Sequence, residues 1–282
     1  MSCRLFVYLA RELPIGVVLR RGPSEWVRLS VWHTDDDTFE HGQWMQARVY
    51  ERRSDVSADG SLFAAFVRQS SVRPGDAPKA DSWIAVSRPP YFTALAVWFI
   101  GGTYHTGGFF PDRSSIWLGF NDIQPDIGTV PAWLAVRQPR DIAYTDGTPE
   151  WTDRTVHFNR LLRDGWEWLE KDVARTIWQR RHPNDARTLL MTQQFGSFQE
   201  HGGPYVVEYA VRDEKSGTVR LLGRASWADW DQQGRLVLAQ DGWLRTWLPD
   251  GRFEDIEAFD NQKPDPAPAP EAMSQWPGEP RK

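Results

Sequence analysis

Residues Asp55–Ala64 read DVSADGSLFA, a tight turn that leads directly into an apolar strand. Residues Asp229–Leu238 read DWDQQGRLVL and repeat this pattern, with Asp, Gly and Leu at matching offsets. Weaker copies occur at Phe110–Leu118 (FPDRSSIWL) and His182–Met191 (HPNDARTLLM). Each copy supplies Asp, Asn, Gly or Ser where the backbone reverses, and then a run of strand-forming residues. A repeated strand–turn–strand unit indicates an all-β repeat fold.

The spacing of these turns predicts the architecture. If Gly60, Ser114, Ala186 and Gly234 are equivalent points, the intervals between them are 54, 72 and 48 residues. Such intervals suit four-stranded propeller blades, with an insertion in the middle interval. We therefore expect an irregular β-propeller of about five four-stranded blades, a single domain formed by residues 1–262.

Several runs between the turns predict further strands. Trp26–Trp32 and Tyr205–Val211 alternate apolar and polar residues, as half-buried strands do. Trp83–Val86 and Leu95–Ile100 are too apolar for edge strands. Trp168–Arg180 has the spacing of a short helix but also fits two strands around Lys171 and Asp172, and the β-rich context favours the strands.

The C-terminal segment 263–282 has a different composition. Between Lys263 and Pro270 it alternates proline with small or acidic residues, which predicts an extended tail. Trp276 is the residue expected to fix this tail to the body of the protein.

The aromatic content is high, with 16 Trp, 14 Phe and 7 Tyr. These residues favour pleated surfaces and bury much area, so most of the tryptophans are expected to pack between strands. Trp230 and Trp243 stand at turns beside Asp or Gly, and they are the two to test for exposure as sugar-stacking platforms.

The charge pattern excludes a class of ligand. The net charge is −5, and the 28 Arg and 5 Lys form no basic block. A sequence-independent nucleic-acid binder needs clustered cations, so we expect no nucleic-acid partner. The scatter of the arginines favours a codon-usage effect over anion recognition.

Cysteine content and apolar runs give an expected location. Cys3 is the only cysteine, which excludes an internal disulfide and a cysteine zinc site. The N-terminal apolar run is short for a signal peptide, and the longest apolar run, Tyr91–Ile100, is about half of a membrane span. We expect a cytoplasmic monomer with no membrane association.

Two motifs resemble those of known propellers. Asp55–Phe66 resembles the repeat of TolB-like propellers, and Val31–Thr34 resembles the third strand of a WD-repeat blade, although the full Gly-His to Trp-Asp pattern is absent. With Ser87–Tyr91 and Trp227–Asp231, the whole chain resembles a group of uncharacterised bacterial propeller-like proteins. The resemblance implies the fold and carries no activity.

Signatures of catalysis and metal binding are weak. The six histidines have no partner two to four residues away, and no G-x-S-x-G nucleophile frame is present. Asp35–Asp37 lacks the glycine and distal glutamate of a calcium loop and fits a solvated turn. We predict no catalytic residue, no metal and no cofactor.

A few residues are candidates for binding. Glu51–Asp55 places alternating charges before a repeat strand, and paired prolines hold Ser87–Tyr91 in a rigid bend. His105 lies in the glycine-rich loop Gly101–Gly108, which suits either close ligand approach or a simple connection. The binding candidates are Arg52, Arg53, Asp55, Arg88, Tyr91, His105, Asp229, Trp230 and Asp231. For Arg52 and Arg53, structural salt bridges to turn aspartates are the alternative.

These observations favour a non-enzymatic interaction module that binds a protein or peptide partner on one propeller face. A propeller that binds a small ligand or carbohydrate is the second hypothesis. A hydrolase or lyase with a site in the channel is the third.

Overall fold

The computed structural model describes residues 2–22, 24–69, 81–103, 105–119, 123–138, 154–172, 174–195 and 205–279. The chain divides into two compact units. Unit 1 comprises Val7–Arg160 and Gln262–Lys282, and unit 2 comprises Ser2–Phe6 and Leu161–Asn261.

Strands dominate the described chain. In order they are β1 (Arg4–Leu9), β2 (Ile15–Arg21), β3 (Trp26–His33), β4 (Thr38–Gln46), β5 (Arg48–Val49), β6 (Asp55–Val56), β7 (Phe63–Arg68), β8 (Ser82–Ser87), β9 (Ala94–Phe99), β10 (Gly108–Phe109), β11 (Ser115–Leu118), β12 (Ile127–Gly128), β13 (Ala135–Arg137), β14 (Glu167–Lys171), β15 (Arg175–Arg181), β16 (Arg187–Phe195), β17 (Tyr205–Asp213), β18 (Val219–Arg224), β19 (Trp227–Trp230), β20 (Leu236–Gln240), β21 (Trp243–Trp247) and β22 (Phe253–Ala258). One α-helix, α1 (Arg154–Arg163), and two 3-10 turns, Glu51–Arg53 and Glu271–Ser274, complete the described elements.

Among the described residues these strands form five sheets. The first sheet holds β1 to β4 in sequence order, the fourth holds β14 to β18, and the fifth holds β19 to β22. The second has the order β12-β9-β8-β7-β5, with β6 also paired to β7, and the third has the order β10-β11-β13. Most neighbours are antiparallel, but β11 and β13 are parallel.

The all-β class is confirmed, and the number of strands differs from sheet to sheet. The first and fifth sheets have four strands, and the second, third and fourth have six, three and five. The long interval after Ser114 contains the short strand β12, which pairs with β9 and adds one strand to the second sheet.

The predictions of these individual strands are confirmed. Trp26–Trp32 lies in β3 and Tyr205–Val211 lies in β17. The apolar runs that begin at Trp83 and Leu95 form β8 and β9, and both are interior strands of the second sheet. Trp168–Arg180 forms a hairpin of β14 and β15, as the β-rich context indicates.

Tryptophan burial explains the aromatic composition. Trp32, Trp98, Trp117, Trp178 and Trp230 are among the largest fully buried side chains. Each large aromatic ring removes on the order of 150–250 Å² from water, so these residues supply much of the driving force for packing the sheets. Core packing is therefore the role of most tryptophans that the structure describes.

The second sheet shows how the sequence specifies its core. β7 and β8 carry almost only buried residues, as expected of central strands covered on both faces. The cluster around them comprises Leu62, Ala64, Phe66, Ile84, Val86, Leu95, Ala96, Trp98, Phe110, Ile116, Leu118 and Leu134.

Each of the repeated turns contains the same type of hydrogen bond. In each of the four sequence repeats an aspartate Oδ1 accepts the backbone N–H two residues later, from Asp59, Asp112, Asp185 and Asp231. The same bond recurs at Asp36, Asp172, Asp213 and Asp250. It mimics a backbone turn and leaves the chain reversed, which is why aspartate marks these turns.

The helix α1 lies outside the elements expected from the sequence. Phe158, Leu161 and Leu162 have the i, i+3, i+4 spacing of a helical face, and Phe158 and Leu161 are buried. No helix among the described residues has the length and apolarity needed to cross a membrane.

We predict that Asp59→Ala lowers the free energy of unfolding by about 1–2 kcal/mol in urea denaturation at pH 7. The substitution removes bonds of 2.6 Å from Ser57 Oγ and 3.0 Å from Ser61 N. Partial burial works to raise the pKa of Asp59, but the bonds from Ser57 and Ser61 outweigh it and hold the pKa below its ordinary value.

The same carboxylate gives a pH dependence. Because its folded-state pKa is lowered, its contribution is complete above the ordinary aspartate pKa and is lost as the pH falls through the folded-state pKa. Asp59→Asn should therefore lose less stability than the natural protein between pH 7 and pH 3. Equal losses in both proteins would contradict this role of the charge.

Candidate functional site

The nine predicted binding residues occupy three local structures. They lie on a 3-10 turn and its neighbouring loop (Arg52, Arg53, Asp55, His105), on a proline bend (Arg88, Tyr91) and at the end of β19 (Asp229, Trp230, Asp231).

Arg53 holds the glycine-rich loop. Its Nη1 donates to the carbonyl of Thr103 and, at 2.9 Å, to that of His105. Gly107 follows with a φ of +110°, and a Cβ there would lie 2.1 Å from the carbonyl oxygen of Arg53. The loop thus needs glycine to approach the turn that carries Arg52 and Arg53. Arg53 and His105 come together through the backbone of His105, and Arg53 acts as a structural anchor.

Asp55 is fully buried and, like Arg53, bonds a backbone group. Its Oδ2 accepts the N–H of Phe110 at 2.9 Å, which links the first and second sequence repeats. Beside it, the guanidinium of Arg160 donates to the carbonyls of Ser54 and Glu51.

Sequence reasoning missed this buried polar cluster because it missed α1. Arg160 Nη2 donates to Nδ1 of His157 at 3.2 Å, one turn earlier on the helix. The guanidinium lies 4.9 Å from the ring centroid of Tyr8, whose hydroxyl donates to the carbonyl of Glu51 at 2.8 Å. Burial raises the pKa of Tyr8, with Arg160 opposing. The described contacts bind α1 to the turn at Glu51.

Asp229 forms a buried ion pair in unit 2. Its Oδ2 contacts Nη1 of Arg180 and accepts the indole N–H of Trp166 at 3.2 Å. Burial raises the pKa of the Asp229 carboxyl, against the opposing effect of Arg180. Asp231 closes the following turn with the N–H groups of Gln233 and Arg235. Within the described residues, no group of three or more His, Cys, Asp or Glu is placed to hold a metal ion.

Trp230 is buried, with 1% of its surface exposed, so its exposure as a stacking platform is ruled out. Its indole N–H donates to the carbonyl of Arg180 at 3.2 Å, and the ring of His182 meets its face edge-on at 4.6 Å. All four residues of β19 are buried, so the ring lies within the protein interior. Trp243 is half-buried beneath the guanidinium of Arg245.

The proline bend Ser87–Tyr91 packs closely on β4. The backbone N–H of Gln43 donates to the carbonyl of Pro90 at 3.0 Å, and the N–H of Phe92 donates to Oε1 of Gln43 at 2.9 Å. A Cβ on Gly42 would lie 2.0 Å from the carbonyl oxygen of Pro90. Glycine in β4 therefore permits the approach, and the bond from the Phe92 N–H to the side-chain oxygen of Gln43 orients the Gln43 amide.

The C-terminal tail lies against this bend. Nε2 of Gln43 donates to the carbonyl of Ala267 at 3.1 Å. Nη1 of Arg88 donates to the carbonyls of Ala272 at 2.8 Å and Gln275 at 3.3 Å. Three contacts thus bond main-chain carbonyls of the tail, one in its extended part and two at its 3-10 turn.

Trp276 fixes the tail as the sequence predicts. Its indole N–H donates to the carbonyl of Thr129 at 2.8 Å. Its ring meets Trp133 edge-to-face, with centroids 6.3 Å apart, and packs against the core cluster of the second sheet.

Two arginines hold the start of the tail. Arg20 donates to the carbonyl of Gln262 and Arg28 donates to its side-chain oxygen, both at 3.3 Å. Both guanidiniums lie over the ring of Trp44. Burial lowers the pKa of Arg28, the charge of Arg20 lowers it further, and Asp265 of the tail opposes them. The Asp265 carboxylate of the tail therefore favours the charged form of Arg28.

We call this set the tail-binding surface: the side chains of Arg20, Arg28, Gln43, Arg88 and Trp133, with the carbonyl of Thr129. Of the predicted candidates, Arg88 belongs to it, and Tyr91 helps to form the bend by donating its N–H to the carbonyl of Arg88 at 2.9 Å. The other members escaped prediction because they lie on β2, β3, β4 and the segment before β13, far apart in sequence.

We predict that Arg180→Met lowers the free energy of unfolding by about 3 kcal/mol at pH 7, because the Asp229 carboxylate stays buried without its partner. Asp229→Leu in the same chain should recover most of this loss. The loss should shrink near pH 4, because a raised folded-state pKa lets the carboxyl take up a proton as the pH falls. Arg187→Met, which removes an arginine paired with the more exposed Asp185, is the control for urea denaturation. An equal loss in the single and double variants would contradict the ion-pair explanation.

Comparison with known proteins gives weak likenesses. No protein-family model and no curated sequence matches the chain. An uncharacterised protein from Listeria monocytogenes EGD-e superposes with a TM-score of 0.32 and 8% identity, over 93% of this chain and 85% of that chain. The tricorn protease superposes with a TM-score of 0.25 and 11% identity, over 92% of this chain and 26% of that one. Both TM-scores lie below 0.5, so these likenesses carry no argument about function.

Proposed function

We propose that this protein is a non-enzymatic interaction module, and that its tail-binding surface binds an extended segment of a protein partner. The single observation behind the proposal is that Gln43 and Arg88 already hold a segment of the chain, the tail, through its backbone carbonyls.

Main-chain recognition suits a peptide partner. Every extended peptide presents carbonyl groups, and neighbouring pockets then choose the side chains. Arg88 and Gln43 supply the carbonyl contacts, and Trp133 supplies an aromatic face for a side chain. Rigid Arg and Trp side chains are frequent energetic centres of protein interfaces.

The other candidate residues give less support to a catalytic or sugar-binding function. Arg53 and Asp55 bond to backbone groups, and Asp229 is neutralised by Arg180. The burial of Trp230 takes away the aromatic platform that favoured a carbohydrate ligand.

The propeller interpretation belongs to the same proposal. The number of sheets that the described residues form, five, supports about five blades. We further propose that residues 1–262 form this propeller-like domain, that residues 263–282 form its tail, and that the protein acts as a cytoplasmic monomer.

A peptide-display selection tests the function. The bait is full-length protein with Trp276→Ala, which removes the indole that anchors the tail and so opens the surface. We expect selected peptides to lose about tenfold or more in affinity when Arg88→Ala is added, because a charged donor that bonds two carbonyls is removed.

Arg224→Ala, which removes an exposed arginine in unit 2, is the matched control and should leave the affinity unchanged. Thermal unfolding establishes that each bait is folded. If no peptide is selected, or if selected peptides bind the Arg88→Ala bait equally well, the proposed function is wrong.

A further inference from the structure

We infer that the partner of the tail-binding surface is a proline-rich, acidic segment that ends in one helical turn and a tryptophan, and that the chain's own residues 262–276 compete with it. This inference rests on the proposed function and names both the class of partner and the form of regulation.

The first part of the tail explains the preference for proline. Residues 263–270 read KPDPAPAP, and Pro270 has φ −55° and ψ 145°, the polyproline conformation. Proline fixes this shape before binding, so the segment loses little conformational freedom when it docks. It also leaves carbonyls available, and Gln43 bonds one of them at Ala267.

The second part of the tail explains why the partner segment is expected to form a helical turn. The N–H of Met273 donates to the carbonyl of Pro270 at 2.9 Å and closes the turn Glu271–Ser274. Arg88 bonds one carbonyl within this turn and one just after it, at Ala272 and Gln275. A single guanidinium therefore recognises the turn itself, which a continuous extended strand does not present.

Trp276, which anchors the tail, follows shortly after this turn. With the turn held by Arg88, the chain places Trp276 against Trp133 and the carbonyl of Thr129. A smaller or aliphatic side chain would lack both the ring area and the N–H donor.

Two arginine charges beside the tail explain the preference for an acidic partner segment. Arg20 and Arg28 lie over the same ring of Trp44 and both donate to Gln262, three residues before Asp265. The charge of Asp265 opposes the lowering of the Arg28 pKa. An acidic residue at the corresponding position of a partner would provide the same compensation.

The tail is suited to displacement by a partner segment. Residues 263–268 are exposed, and the described tail contacts lie at a few points, among them Trp276 against the core cluster of the second sheet. A covalently attached ligand nevertheless competes at an effective concentration on the order of millimolar. A free segment of the same chemistry must therefore bind the natural protein much more weakly than it binds a chain whose own anchor is removed.

The experiment uses fluorescence anisotropy with a labelled peptide of residues 262–279. The peptide should bind the full-length Trp276→Ala protein at least tenfold more tightly than the natural protein, as expected on removing a tethered competitor. A peptide with Trp276→Ala should fail to bind, and a peptide with Asp265→Lys should bind several-fold more weakly. Trp243→Ala, which changes another half-buried tryptophan, should resemble the natural protein.

A second measurement needs no substitution in the protein. Saturating peptide, made resistant by Glu271→Gln, should displace the natural tail and raise the rate at which a glutamate-specific protease cleaves after Glu271. This readout decides the question if Trp276→Ala disturbs folding.

The outcomes separate the two proposals. If displayed peptides bind in an Arg88-dependent manner but the tail peptide neither binds nor competes, this inference is overturned and the proposed function stands. If the tail peptide binds both proteins equally and leaves the protease rate unchanged, competition by the tail is overturned. If no peptide of any kind binds, both proposals are overturned.

Discussion

The bond from an aspartate carboxylate to the backbone N–H two residues later recurs through this structure, and the strand pattern depends on it. It closes the turns at Asp59, Asp112, Asp185 and Asp231. Each such turn reverses the chain within a few residues, so consecutive strands pair as neighbours in antiparallel sheets. Buried tryptophans then fill the faces that these strands present.

Close packing between the proline bend and β4 positions the surface that holds the tail. Gly42 lets the proline bend approach β4, and the bend in turn orients Gln43. Arg88 projects from the bend and bonds the tail carbonyls. A missing Cβ in a strand thus decides where a carbonyl-binding guanidinium is placed, although neither residue shows this in the sequence alone.

Polar residues that look chemically active in the sequence have mostly structural partners. Asp55 bonds the Phe110 N–H, Arg53 bonds the His105 carbonyl, and Asp229 pairs with Arg180. Turn and strand-end positions place such side chains beside backbone groups that need partners, because a buried polar group without one is destabilising. Local sequence shows the charge but not the partner, which explains why only Arg88 among these candidates bonds the tail directly.

The sequence by itself determined the local features of this protein: the turns, the hairpin of β14 with β15, the interior strands β8 and β9, and the attachment of the tail through Trp276. These features depend on residues close together in the chain or on one large apolar anchor. Tertiary structure alone decided the unequal strand numbers of the sheets, the burial of Trp230 and the assembly of the tail-binding surface. They depend on contacts between residues distant in sequence, and strand periodicity carries no information about which distant segments meet.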